Sequence, residues 1–336
     1  MPFPAADRNV PSKVSHKGHF SMTSILTNDA AMSALQTLRG INTNLQDTQS
    51  RVSSGYKVAK AADNAAYWSI ATTMRSDNGA LSAVSDALGL GAAKVDTAYA
   101  AMDNAITVVQ QIKDKLVAAT ESSVSKADIQ EEVSQLQQQL ESIAQSASFS
   151  GQNWMYAANG ASASVVSSFV RNNNGTVSVN STSYAFDTGS QGNVLFGASG
   201  GTIDTSSGIL GTQQNISGTS YSVFSLDITN MTGGDIGKAM NLIQGALDAM
   251  TSTASQLGSL STRIDLQTSF VSTLHDTIDS GVGKLVDANM EEESSKLSAL
   301  QTQQQLAIQS LQIANSSAQN VLALFKREMP PRISFC

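Results

Sequence analysis

Apolar residues recur along this chain in steps of three and four, and the rhythm is clearest near its end. Within residues 287–325 they fall at Leu297, Leu300, Ala307, Leu311, Ala314, Ala318, Val321 and Phe325, with Gln304 in the one register position left over. That spacing is the seam of a helix that lies against another helix. At about 1.5 Å per residue the run reaches roughly 58 Å, longer than a small domain is wide. Such a stripe needs a partner, and the other end of the chain offers one. Residues 28–52 carry Ala31, Leu35, Leu38, Leu45 and Val52 in the same rhythm, with Asn42 and Gln49 on the stripe. Polar residues at such positions fix pairing register at some cost in stability. Asn28 or Asp29 is placed to cap this first helix, and Ser53, Ser54 and Gly55 end it, with Gly55 as a left-handed C-cap.

The interior repeats the pattern. Residues 56–72 read as a connector with mixed signals, in which Asp63 or Asn64 is placed to cap a second helix, predicted over 65–120. Its stripe is Met74, Leu81, Val84, Leu88, Val95, Tyr99, Met102, Ile106, Val109 and Leu116. Gly79, Gly89 and Gly91 weaken it by about 1 kcal/mol each relative to alanine. Tertiary packing must therefore hold it, and Gly89-Leu90-Gly91 reads as a place of close helix packing. A third helix over 126–147 carries Ile129, Val133, Leu136, Leu140 and Ile143, and a fourth runs from Ile236 to Leu285. Between them, 149–235 is rich in Ser, Thr, Gly and Asn with short alternating runs, which read as strands joined by turns.

The predicted fold is mostly α: a long antiparallel, coiled-coil-like bundle formed by both chain ends, with a small β-rich central insertion at its tip. The expected divisions are terminal helices at 22–64 and 287–325, a helical rod at 65–148 and 236–286, and a β-rich domain at 149–235. Residues 1–21 are aperiodic and proline-containing, and are expected to be a disordered extension, a tag or an upstream start. Residues 326–336 read as an atypical tail.

Composition narrows the function. The chain is 41% hydrophobic but only 5% aromatic, which favours close helix packing through small side chains over a bulky interior. Its net charge is −7, and each end carries +2, which leaves −11 for residues 22–325. An acidic body argues against nucleic acid or an anionic membrane as partner. No apolar run has the length of a membrane span, and residues 1–21 lack the apolar core of a secretory leader. The single cysteine, Cys336, rules out a disulfide framework.

No constellation for catalysis, a cofactor or a metal emerges. Ser123-Val124-Ser125-Lys126 matches a serine-nucleophile spacing without its companion motifs, and Ser125 reads as a helix cap. Glu291, Glu292 and Glu293 form an acidic first helical turn, which the helix dipole favours. His275 lacks a second metal-ligating partner of the usual kind, Trp68 and Trp154 read as packing anchors, and Met74, Met102, Met240, Met250 and Met290 read as core. This pattern predicts a protein that is not an enzyme.

The two ends resemble those of bacterial flagellins, closest in wording to those of soil alphaproteobacteria. The resemblance is carried by S-S-G at 53–55, D-N-A-A at 63–66, A-N-M-E-E-E-S at 288–294 and S-A-Q-N-V-L at 317–322, and spans roughly 22–147 and 236–325. It implies a secreted, extracellular filament subunit for swimming motility, exported without a cleaved leader by the flagellar type III system. It further implies homopolymerisation, co-assembly with sister flagellins, and contact with hook-filament junction proteins, a cap protein and an export chaperone. In such a subunit Leu35, Leu38, Leu45, Leu297, Leu300, Leu311, Val321 and Phe325 are the expected self-assembly stripes of an inner tube. Stripes without partners in the monomer would order on association. Two other readings stay open: a flagellin-like surface protein that binds polysaccharide, and a hook-filament junction protein.

Overall fold

The computed structural model describes residues 27–121, 123–172 and 176–327. The segment expected to be a disordered extension, 1–21, lies outside them, as do residues 328–336 of the tail. The described helices are α1 (Asp29–Ser54), α2 (Ala65–Ala119), α3 (Lys126–Ser146), α4 (Gly233–Val286) and α5 (Met290–Arg327). Between α3 and α4 lie short strands, so the chain is mostly helical with a small β-rich centre, as its periodicity predicts. Contacts divide it into two units: residues 1–68 with 286–336, and residues 69–285.

In the second unit α2 and α4 run antiparallel. Asn78 Nδ2 donates to Asp279 at 2.5 Å, Ser261 Oγ to Asp96 at 3.0 Å, and Lys113 Nζ to Gln244 at 2.6 Å. The predicted stripes face each other: Leu81, Val84, Leu88, Val95, Met102, Val109 and Leu116 of α2 are buried with Ile236, Ile243, Leu247, Met250, Leu257, Ile264 and Val271 of α4. Tyr99 departs from expectation. Its register position brings it to the rim, where it is exposed, while Ala98, Ala101 and Ala105 fill the core beside it. α3 begins at Ser125, whose Oγ accepts the Asp128 N–H, and buries Ile129, Val133, Leu140 and Ala144. Its buried Gln137 donates Nε2 to the carbonyls of Val223 and Leu226 at 3.0 and 3.1 Å, tying down a loop that has no strand ladder to satisfy it.

The strands are β1 (Ser148–Phe149), β2 (Gln152–Asn153), β3 (Tyr156–Ala157), β4 (Ser162–Arg171), β5 (Val177–Ala185), β6 (Phe196–Ser199), β7 (Thr202–Asp204), β8 (Gln214–Ile216) and β9 (Thr219–Tyr221). β1–β2, β4–β5 and β8–β9 are antiparallel pairs, and β6 lies between a parallel β3 and an antiparallel β7. Trp154, fully buried, stacks on Tyr184 at 5.3 Å and meets Phe186 edge-on at 5.9 Å. Burial pushes the Tyr184 hydroxyl up to about 12. Trp154 is thus the anchor that its type predicts. Trp68 is not, being 37% exposed, and Met290 is likewise exposed.

The β4–β5 ribbon lies on the helices of this unit. Arg171 Nε donates to both carboxylate oxygens of Asp77 at 2.7 and 2.8 Å, and Arg263 Nη2 donates to Thr182 at 3.2 Å. Gly91 explains how the ribbon comes so close: a Cβ there would sit 2.3 Å from Cγ1 of the buried Val165. The glycine pair read as close helix packing therefore serves a strand at Gly91 and nothing at Gly89, where a Cβ would meet open space. The two substitutions separate these roles. Gly91→Ala should lower stability by about 1–3 kcal/mol through overpacking, whereas Gly89→Ala should raise it by up to about 1 kcal/mol through helix propensity. Denaturant unfolding followed by circular dichroism checks both signs.

Candidate functional site

The first unit is built on the pairing of the two chain ends. α1 opens at Asn28, whose Oδ1 accepts the Ala31 N–H at 3.0 Å, and it closes at Gly55. Gly55 takes φ +76°, a left-handed conformation that a Cβ disfavours, and its N–H bonds the Arg51 carbonyl at 2.8 Å. Ser54 Oγ accepts the Tyr56 N–H at 3.2 Å, and Ser53 is exposed. A short backbone clasp joins the two chain ends here: Lys57 and Val58 N–H donate to the Val286 carbonyl, and Ala288 N–H donates to that of Gly55. Asp63 Oδ2 accepts the N–H groups of Ala59 and Lys60 at 3.0 and 3.1 Å, and Asn64 Oδ1 caps α2 by accepting from Tyr67. The Lys60 bond above all holds the Asp63 carboxyl below the usual carboxylate range.

From this clasp α1 and α5 run antiparallel. Polar rungs mark the register: Arg51 Nη1 to Glu293 Oε1 at 3.3 Å, Gln304 Nε2 to Asn42 Oδ1 at 2.6 Å, and Asn28 Nδ2 to the Ala314 carbonyl at 2.9 Å. The amide at Asn42 and the amide replacing an apolar residue at Gln304, two oddities of their separate stripes, are thus each other's partner. Leu300 is buried in the seam, and Leu38, Leu45, Leu297 and Leu311 are half-buried. Burying one such leucine is worth roughly 1.5–3 kcal/mol. Leu35 sits at the edge of the seam and is exposed. Val321 and Phe325 lie on α5, with side chains outside the described ones.

Two seam residues escape the apolar pattern. Thr48 is buried where the pattern places Gln49, because Gln49 turns to solvent. Glu293, one of three acids in the first turn of α5, is buried against Arg51, while Asn289 Oδ1 caps that turn by accepting from Glu291 and Glu292. Only the distant Arg51 distinguishes Glu293 from its neighbours, which a one-helix reading does not register.

The pair also shows apolar side chains that the seam does not use. Met32 is 53% exposed on α1, and on α5 Leu306 is 59% and Ile313 69% exposed on one face, with Ile308 exposed on another. One flank is a trough lined by Ala30, Ala34, Ile41, Leu306, Ala307 and Ser310. Its floor of small side chains is open enough to receive the ridge of another helix. The seven-residue step from Leu306 to Ile313 is the signal that could have revealed this second stripe.

Among the described residues no group of three His, Cys, Asp or Glu is placed to hold a metal, and no helix is long and apolar enough to cross a membrane. His275 lies half-exposed, its Nδ1 3.5 Å from Asp279.

Comparison with known proteins bears on the same two ends. The model of the bacterial flagellin N-terminal helical region matches residues 25–160, and that of the C-terminal helical region matches residues 240–325. Flagellin C of Rhizobium meliloti strain 1021 is 52% identical over 91% of this chain and its own full length. Flagellin A of that strain is 46% identical and a flagellin of Brucella melitensis 42%, with the same coverage.

The Asp63 clasp makes a pH-dependent contribution whose sign is fixed. A carboxyl held low in the folded state stabilises above its unfolded pKa, about 3.9, and that stability is lost as pH falls through the folded value. Protection of the Ala59 and Lys60 amides against hydrogen exchange, corrected for intrinsic rates, should therefore be full at pH 6 and collapse in acid below the usual carboxylate range. Asp63→Ala should remove it at every pH.

Proposed function

Because the chain belongs to the bacterial flagellin family, whose members build the extracellular filament of the flagellum, we propose that its α1–α5 pair is the surface by which copies join. The chain is a structural subunit of that filament. Its family is one of structural proteins, and we read its action as that of surfaces rather than of a catalytic centre. The partner at those surfaces is another copy of this chain, or a sister flagellin.

The observation that carries this reading is the apolar surface left over after α1 and α5 have paired. Leu306 and Ile313, seven residues apart on one face of α5, are exposed in the single chain, and Leu306 lines a trough floored by alanine and serine. Exposed apolar side chains grouped on one face mark interaction sites. The seam residues Leu38, Leu45, Leu297, Leu300 and Leu311 then shape the surface from within, and the second stripe makes the contact. A patch on one side of a copy that fits a different patch on the next gives a heterologous contact. Repeated without closure, it generates an open helical polymer.

The same reading extends to the steps around assembly. Export through the flagellar type III system without a cleaved leader, a chaperone for the exported chain, and junction and cap proteins at the filament ends are proposed by family resemblance. A chaperone would be expected to cover the apolar stripes of α1 and α5 before export, since those are the surfaces that would otherwise associate early.

The test separates the outer stripe from the seam. Leu306→Asp with Ile313→Asp should leave the isolated chain as helical as the parent and reduce sedimentable polymer to background in seeded assembly. Polymer at parental yield would refute the assignment of this surface. Leu300→Asp with Leu311→Asp should also block assembly, but with loss of helical signal, because Leu300 is buried inside the pair.

A further inference from the structure

The polar rungs of the α1–α5 seam are poor choices for strength. Asn42 and Gln304 meet at 2.6 Å in the middle of an apolar stripe. Glu293 is nine-tenths buried, with Oε1 on Arg51 and its other carboxylate oxygen, equally removed from water, without a hydrogen-bond partner among the described residues. Desolvating amides and charges offsets most of what their contacts return, and leucine would hold the helices together better at these positions.

The rungs differ from the residues around them in what they discriminate. The apolar positions are Ala31, Leu38, Leu45 and Val52 on one helix and Leu297, Leu300, Ala307, Leu311 and Ala314 on the other. Sliding α1 by one heptad, about 10 Å, aligns leucine or alanine with leucine again and loses little. The rungs would not survive the slide. Asn42 would align with Leu297 or Leu311, and Glu293 with Asn44 or Val58 instead of Arg51. Backbone bonds at 55–58 and 286–288 hold only the near end, and α1 extends 26 residues from there. The Arg51–Glu293 rung also joins unlike groups, one from each helix. A second α5 offered to α5 would bring carboxylate where guanidinium is needed, and a second α1 offered to α1 would bring the reverse.

We propose that Asn42–Gln304 and Arg51–Glu293 are selectivity elements that make α1 accept α5, in this register, where many copies of both helices are crowded together. This rests on the reading that the terminal pair is the assembly surface, so the test reads pairing and assembly separately.

Pairing is read in seeded assembly mixtures of the full chain, with Cys336→Ser and the labelled chain diluted in unlabelled chain, by the distance between spin labels placed at Thr43 and Gln301. The parent should give one distance. Asn42→Leu with Gln304→Leu should melt higher and add a second population displaced by about 10 Å, one heptad. Arg51→Glu and Glu293→Arg, made singly, should each reduce the paired population about tenfold or more, the scale of a lost charged hydrogen bond. Combined, they should restore it to within about twofold, which a merely space-filling role would not do. One distance in the double-leucine variant, or no rescue in the charge-reversed double, would overturn the proposal.

Assembly is read in the same variants by sedimentation and electron microscopy. Yields that follow the paired population support both the proposal and the reading beneath it. If pairing responds as expected while polymer yield ignores these changes and Leu306→Asp alike, selectivity stands and the assembly reading fails.

Discussion

A helix with an apolar stripe and no partner is not a stable object in water, and this chain carries two of them at opposite ends of its sequence. Their mutual burial is the constraint that the rest of the molecule has to satisfy. Asn28 meets Ala314 across 286 residues of sequence, a separation that local structure cannot bridge. α2 and α4 solve the problem by length: 55 and 54 residues, antiparallel, so the chain that leaves the connector at Ala65 returns to it at Val286. There the backbone bonds between 55–58 and 286–288 start the terminal pair in register. Loop-closure entropy grows only slowly with length, so a long interior is tolerable provided its two strokes match.

What makes the interior hold is the small size of its side chains rather than bulk. Ala98, Ala101 and Ala105 on α2, with Ala239, Ala246 and Ala249 on α4, are buried among the branched residues and let the helices approach closely. The bulk comes from the β-rich segment, where Met155, Leu195, Phe196, Leu210, Leu226 and Ile228 are fully buried. Its ribbon is fastened by specific contacts as well: Arg171 on Asp77, Val165 over Gly91, and Tyr184 and Phe186 on Trp154.

The helices are legible in the sequence because their period persists for tens of residues, so that a few misplaced positions do not disturb the whole. The misplaced positions share a cause. Within each repeat the inner places lie three and seven residues after a seam residue, as Ala98 and Met102 follow Val95, whereas Tyr99 and Gln49 stand four after Val95 and Leu45 and fall on the rim. Thr48, three after Leu45, takes the inner place instead. Residue type alone puts Trp68 and Met290 inside, although large apolar side chains are often exposed where a chain has surfaces to offer. The strands are legible as a class but not in their pairing. Runs of two to four residues rich in Ser and Thr give no burial alternation that would announce a parallel β3–β6 contact. Gly91 and Glu293 are visible as residues but not as partners, since Val165 and Arg51 are distant in sequence.

The terminal pair thus has two jobs that pull against each other. A seam of leucine alone would be the strongest way to close the chain, but it would accept any similar helix at any heptad. Copies of this chain present the same two stripes, so strength without discrimination would favour tangled pairs over an ordered filament. In the proposed assembly, placing Asn42, Gln304, Arg51 and Glu293 inside the seam gives up some of that strength for an unambiguous match, while Leu306 and Ile313 stay exposed for the next copy. Polar rungs within an apolar seam, and apolar side chains outside it, both depart from the usual arrangement of a soluble helix pair. The departures make sense once the inner face must be specific and the outer face must meet a neighbour.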